Sequence, residues 1–97
     1  MNKLIADIEQ WGLNKGILPN PDKVAQYYKT CEEVEELNEA ILTDNREEAI
    51  DAIGDIVVTL IMQTHAWDIT LEQCIQQAYD VISKRTGKMV NGQFVKD

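Results

Sequence analysis

Histidine occurs once in this 97-residue chain, and cysteine and proline twice each. A structural zinc centre needs four clustered Cys or His ligands. Cys31 and Cys74 stand alone, far from each other and from His65, so no zinc site is expected. Both lie in apolar helical patterns and read as reduced core residues. Basic residues are also scarce: nine Lys and Arg against seventeen Asp and Glu leave a net charge of -8. A protein that neutralises nucleic-acid phosphates normally carries the opposite sign, so no nucleic-acid polymer is expected as a partner. No apolar run approaches the roughly 20 residues of a membrane span. The opening segment 1–7 lacks the long apolar stretch of a secretory signal, so a cytoplasmic chain without a membrane partner is expected.

What is present reads as one domain over residues 1–97, with a core small enough to gain from pairing with another copy. Hydrophobic residues are 44% and charged residues 27%, which excludes a disordered chain. Helical periodicity dominates. Leu4, Ile5, Ile8 and Trp11 define a first helix over about 2–11, ended by Gly12 and Gly16. Asn20-Pro21 is an N-cap followed by a proline suited to the first helical turn, opening a second helix over 20–42. Its expected buried set is Val24, Tyr27, Cys31, Val34, Leu37 and Ile41. Asp44 and Glu47 form a capping-box pattern that opens a third helix over 44–67. A second such box, Thr70 to Gln73, opens a fourth over 70–85. The second and third helices are joined so closely that they must form an antiparallel hairpin. Asn91-Gly92 between two apolar pairs predicts a short β-hairpin over 88–96. The fold class is thus all-α, a four-helix bundle with antiparallel helical hairpins and a small β-hairpin at its C-terminal end.

The acidic residues are not spread evenly. Glu32, Glu33, Glu35, Glu36, Glu39, Asp44, Glu47, Glu48, Asp51 and Asp55 fall in one stretch whose single base is Arg46. Taken alone, such a run is equally a solvated helix face. Asp55 is different, because apolar residues surround it on every side of the third helix and Gly54 precedes it. A buried, unpaired carboxylate costs several kcal/mol or loses its charge, so this reading needs a partner for Asp55. Counting from the turn at about 1.5 Å per residue puts Glu33 level with Asp55, and Glu36 level with Asp51. Four converging carboxylates repel unless a hard divalent cation joins them, and Mg²⁺ prefers such oxygen ligands. By the same counting Lys84 and Arg85 come alongside residues 51–55, and Lys29 lies one turn before Glu33. Cations around an acidic metal cluster suit a bound phosphate chain. Lys84 and Arg85 are equally explained as complements to a helix dipole. His65 and Trp67 read as structural.

These motifs resemble the MazG-like, all-α nucleoside triphosphate pyrophosphohydrolases. The carriers are Lys29 followed by Glu32-Glu33-Val34-Glu35-Glu36, and then Asp51-Ala52-Ile53-Gly54-Asp55 ahead of an apolar run. The resemblance spans roughly residues 23–88 and extends to Lys84-Arg85-Thr86-Gly87-Lys88, as in short phage and bacterial members. It implies hydrolysis of a (d)NTP to (d)NMP and pyrophosphate, in nucleotide-pool housekeeping. It implies Glu33, Glu36, Asp51 and Asp55 as ligands of Mg²⁺, with Mn²⁺ as its substitute. Glu32 or Glu36 would take a proton from the attacking water, while Lys29, Lys84 and Arg85 would bind phosphates. Trp11 is the candidate for base stacking. A homodimer or homotetramer would be the working form. The family pattern has Glu at position 52, where this chain has Ala52, and Asp51 is the nearest replacement. That departure keeps a second reading open, a non-catalytic helical dimer that binds a nucleotide or a protein partner. A purely structural dimerisation module is the third.

Overall fold

The computed structural model describes residues 2–97. Along the chain come α1 (Asn2–Asn14), α2 (Lys23–Leu42), α3 (Arg46–Ala66), α4 (Leu71–Ile82), β1 (Gly87–Val90) and β2 (Gln93–Lys96). The all-α expectation with a terminal β-hairpin holds, while several boundaries move for local reasons. Gly12 does not end α1. It is buried, and a Cβ there would lie 2.9 Å from Met62 Sδ and 3.1 Å from Leu18 Cδ1. The glycine lets α1 approach α3 closely. The helix runs on to Asn14 and closes where Gly16, four residues after Gly12, takes a left-handed conformation. There the Gly16 and Ile17 amides donate to Leu13 O and Gly12 O. This is a Schellman motif.

The start of α2 also shifts, from Asn20 to Asp22. The Asp22 carboxylate accepts from the Val24 and Ala25 amides, both at 2.9 Å. At the α2–α3 turn, Asp44 does not cap α3. It occupies the left-handed region at φ 50° and closes α2 in a second Schellman motif. Asp44 N and Asn45 N donate to Ile41 O and Ala40 O. Asn45 is then the N-cap of α3, accepting from Glu48 N. The Thr70–Gln73 capping box forms as expected. α4 ends at Ile82 with Ser83 as its C-cap, short of Arg85. In the terminal hairpin Gly87 pairs with Lys96 and Val90 with Gln93. Asn91 and Gly92 both have positive φ, as a type I′ turn requires.

α3 is the central element. By length and composition alone it is apolar enough to cross a membrane. Here α2 packs along it, α1 crosses it and α4 touches it only lightly. The core is small: Leu18, Ile61 and Met62 are buried, with Ile5, Ile8, Ile17, Val57 and Leu71 packed around them. Further bonds tie α2 to α3. Gln63 donates to Lys23 O at 3.0 Å, and the Lys23 ammonium sits 3.9 Å from the Trp67 ring centre. His65 meets the Glu9 carboxylate and so ties α1 to α3.

The expected core of α2 is largely outside. Val24, Tyr27, Val34 and Ile41 are each at least half exposed. Cys31 is exposed and Cys74 half-buried, and both are free thiols, so neither is a core residue. The face that α2 turns inward is Gln26, Thr30, Glu33, Leu37 and Ala40, at helical spacing. Asp55 is exposed too, because α1 and α4 leave that side of α3 uncovered within one chain. The premise of a carboxylate buried on all sides therefore fails. Gly54 likewise faces open space.

Candidate active site

The inward stripe of α2 carries Glu33 to the seam between the two long helices. Carboxylate oxygens of Glu33, Glu36 and Asp55 all lie within 4.8 Å of one another. Glu33 and Glu36 come from one face of α2, three residues apart. Asp55 faces them from α3 because the tight Thr43–Asn45 turn fixes the level of the two helices. A cation with oxygen ligands at ~2.0–2.6 Å fits among three oxygens so spaced.

The electrostatics support the same point. Glu33 Oε2 is buried and has no hydrogen-bond partner among the described residues. Burial raises the pKa of Glu33 above the usual glutamate value, and the Glu36 and Asp55 carboxylates raise it further. Lys29 offsets this in part. An orphaned carboxylate oxygen beside two more acids is costly unless a cation completes it. The donor set is all oxygen, so a hard divalent ion fits and a zinc thiolate site does not.

Lys29 donates to Glu32 at 3.0 Å. That bond, with the Glu32 charge, holds the ammonium above its usual pKa, and Glu33 and Glu36 add to the effect. Glu32 thus points to Lys29 rather than into the group of three. Asp51 is exposed and lies outside that group, although it is one turn before Asp55. Ala52, at the position where the family pattern has Glu, is buried. Lys84 and Arg85 are exposed beyond the end of α4. Arg85 borders a cleft made with α4 side chains alone, so this chain does not bring it to the acidic group.

Glu33 and Asp55 also line a cavity of about 430 Å³ between α1, α2 and α3. Its other walls are Trp11, Ile17, Gln26, Lys29, Val58, Thr59 and Met62. Sequence reasoning singled out Trp11, Lys29, Glu33 and Asp55 of this set. It missed Gln26 and Thr59. The available signal was the polar series 26, 30, 33 at helical spacing, overshadowed by the stronger apolar series on the opposite side of α2. The Thr30 and Thr59 hydroxyls bond each other at 2.8 Å. Each also lies within bonding distance of a carbonyl of its own helix; with two protons for three contacts, one hydroxyl donates to the other, which donates to its helix carbonyl.

The model of the phosphoribosyl-ATP pyrophosphohydrolase family matches residues 18–80, which include both long helices and every member of the acidic group. The chain belongs to this family. It is therefore a pyrophosphohydrolase-type protein of the all-α nucleotide class, and a hydrolase acting on nucleotide-like substrates is what its family implies. No curated protein and no solved structure matches the chain.

Proposed function

We propose that this protein is a Mg²⁺-dependent pyrophosphohydrolase in the cytoplasm that cleaves nucleoside triphosphates between the α- and β-phosphates. The observation that carries the reading is the orphaned, partly buried Glu33 carboxylate facing Glu36 and Asp55 across the hairpin seam. Glu33, Glu36 and Asp55 would hold the ion, with Mn²⁺ as a substitute, and Asp51 would add negative charge from the next turn. Bound there, a divalent ion neutralises a phosphate chain and acidifies a bound water. Lys29 lines the same cavity and would neutralise a phosphate oxygen. Glu36 is exposed and takes the proton of the attacking water; Glu32 can serve only by leaving Lys29. Water oxygen bonds to the α-phosphorus as the bond to the bridging oxygen breaks, giving a monophosphate and pyrophosphate.

The working form is an oligomer of this chain. A folded 11.0 kDa monomer exposes ~5,600 Å², whereas this chain exposes 7604 Å². The excess of about 2,000 Å² per copy matches the burial of an obligate homodimer or larger assembly. The radius of gyration, 15.6 Å, exceeds the ~12.5 Å of a compact chain of this length. Three helices present unpartnered apolar stripes: Tyr27, Val34 and Ile41 on α2; Ile50, Ile53 and Leu60 on α3; Ile75, Tyr79 and Ile82 on α4. Packing those stripes gives a homodimer or a homotetramer. Lys84 and Arg85 would reach the phosphates only in that assembly.

Product analysis tests the enzyme reading, using a panel of NTPs, dNTPs and phosphoribosyl-ATP with Mg²⁺ or EDTA. Metal-dependent release of pyrophosphate, lost in Asp55→Asn, is the expected result. The absence of turnover on every member, with Mg²⁺ still raising Tm, would replace it with the non-catalytic nucleotide- or partner-binding dimer. Ala52 is the observation that favours that second reading.

A further inference from the structure

We infer that the cavity beside the acidic group is a nucleobase pocket, with Trp11 as its stacking face and Gln26 as the group that reads the base edge. This rests on the triphosphate reading above and deepens it. The volume, about 430 Å³, lies within the ~300–1,000 Å³ range of small-molecule sites. Lys29, Glu33 and Asp55 supply its charge; Met62 lies two turns along α3 from Asp55 and beside Gly12, so Met62 and Trp11 form an apolar end away from Asp55. A ligand whose phosphates engage the charged end extends its remaining part along the apolar one. Trp11 is 45% exposed, so its ring is accessible to a flat ligand. Aromatic faces hold bases irrespective of their sequence identity.

Selectivity needs a polar group that is not already used. The Thr59 hydroxyl is committed to Thr30 and to Ile56 O. The Gln26 side chain has no hydrogen bond among the described residues; its backbone amide donates to Asp22 O, and its backbone carbonyl faces the Thr30 hydroxyl. A free amide offers a donor and an acceptor side by side, the pattern that pairs with the edge of a base. Gln26 is half-buried, so such a bond forms partly away from water.

Metal-free NMR of the indole N–H signals separates this pocket from the reaction itself. Trp67→Phe assigns the two indoles. Nucleoside monophosphates, one base at a time, should shift the Trp11 signal and leave Trp67 in place. The dissociation constants should rank the bases, and Gln26→Leu should shrink the spread between best and worst by about 10-fold or more. Inorganic triphosphate should leave the Trp11 signal unmoved. If no monophosphate shifts Trp11, if inorganic triphosphate shifts it equally, or if Gln26→Leu keeps the ranking, the pocket is overturned. Binding of monophosphates needs no turnover, so a failed hydrolysis assay leaves this result readable.

Discussion

The two faces of α2 are reversed relative to an ordinary soluble monomer. The face turned to α3 carries Gln26, Thr30 and Glu33 before reaching Leu37 and Ala40. The face turned outward carries Tyr27, Val34 and Ile41, 58%, 50% and 67% exposed. An inward polar stripe is costly unless its groups are paired or used. Here Thr30 is paired to Thr59 by its hydroxyl, and Glu33 stands beside Glu36 and Asp55, where the three could hold a cation. An outward apolar stripe is costly unless a partner covers it. Under the proposed function the inner face would serve chemistry and the outer one association, on the same 20-residue helix.

Substitutions that hit one face and spare the other sharpen that division. The largest effect should come from the inner one. Glu33→Gln keeps the shape and removes the charge, so metal-dependent pyrophosphate release should fall at least ~100-fold. Its effect on stability has a definite sign. Folded Glu33 has a raised pKa, so its stabilising contribution in the metal-free protein is full below the usual glutamate pKa and is lost as pH rises through the raised value. Glu33→Gln should then raise the metal-free Tm at neutral pH, leave it nearly unchanged at acid pH, and erase the Tm gain from Mg²⁺. A neutral-pH loss of Tm would mean that no repulsion exists there.

On the outer face, Val34→Glu should turn the oligomer into monomers in analytical ultracentrifugation, with loss of thermal stability. An unchanged sedimentation coefficient would remove this stripe from the interface. A smaller change is expected from Ala52→Glu, which puts a carboxylate at a buried position one turn before Asp55. It should lower the metal-free Tm and recover it with Mg²⁺, while recovery by EDTA-treated protein would rule out a ligand role at position 52. The smallest effect, about 1–3 kcal/mol, is expected from Gly12→Val, whose added atoms meet Met62 and Leu18. Denaturant unfolding measures it, and a neutral result would show that α1 can move off α3.

Element type was legible from residue periodicity, because runs such as residues 23–42 and 46–66 lack internal proline. Glu33, Glu36 and Asp55 were legible too, since a short turn fixes level by residue counting. Helix ends were less so. Gly16 announces a left-handed close, whereas Asp44 and Asp68 take the same conformation with no glycine to mark it. The inward face of α2 was misread for a physical reason: hydrophobicity identifies which side avoids water, and in an oligomer that side can point away from the chain's own core. Gln26 was invisible because its meaning depends on Trp11, which is brought to it by α1 from another part of the chain.

The three carboxylates lie within 23 residues of sequence, from Glu33 to Asp55, and a single tight turn brings them together. Contacts so near in sequence close with little loss of chain entropy and favour fast folding. The hairpin can thus bring the three acids together before α4 or the terminal strands have docked. Under the proposed function, ion binding at that stage would offset the repulsion that opposes hairpin closure, so a divalent cation would favour folding as well as reaction.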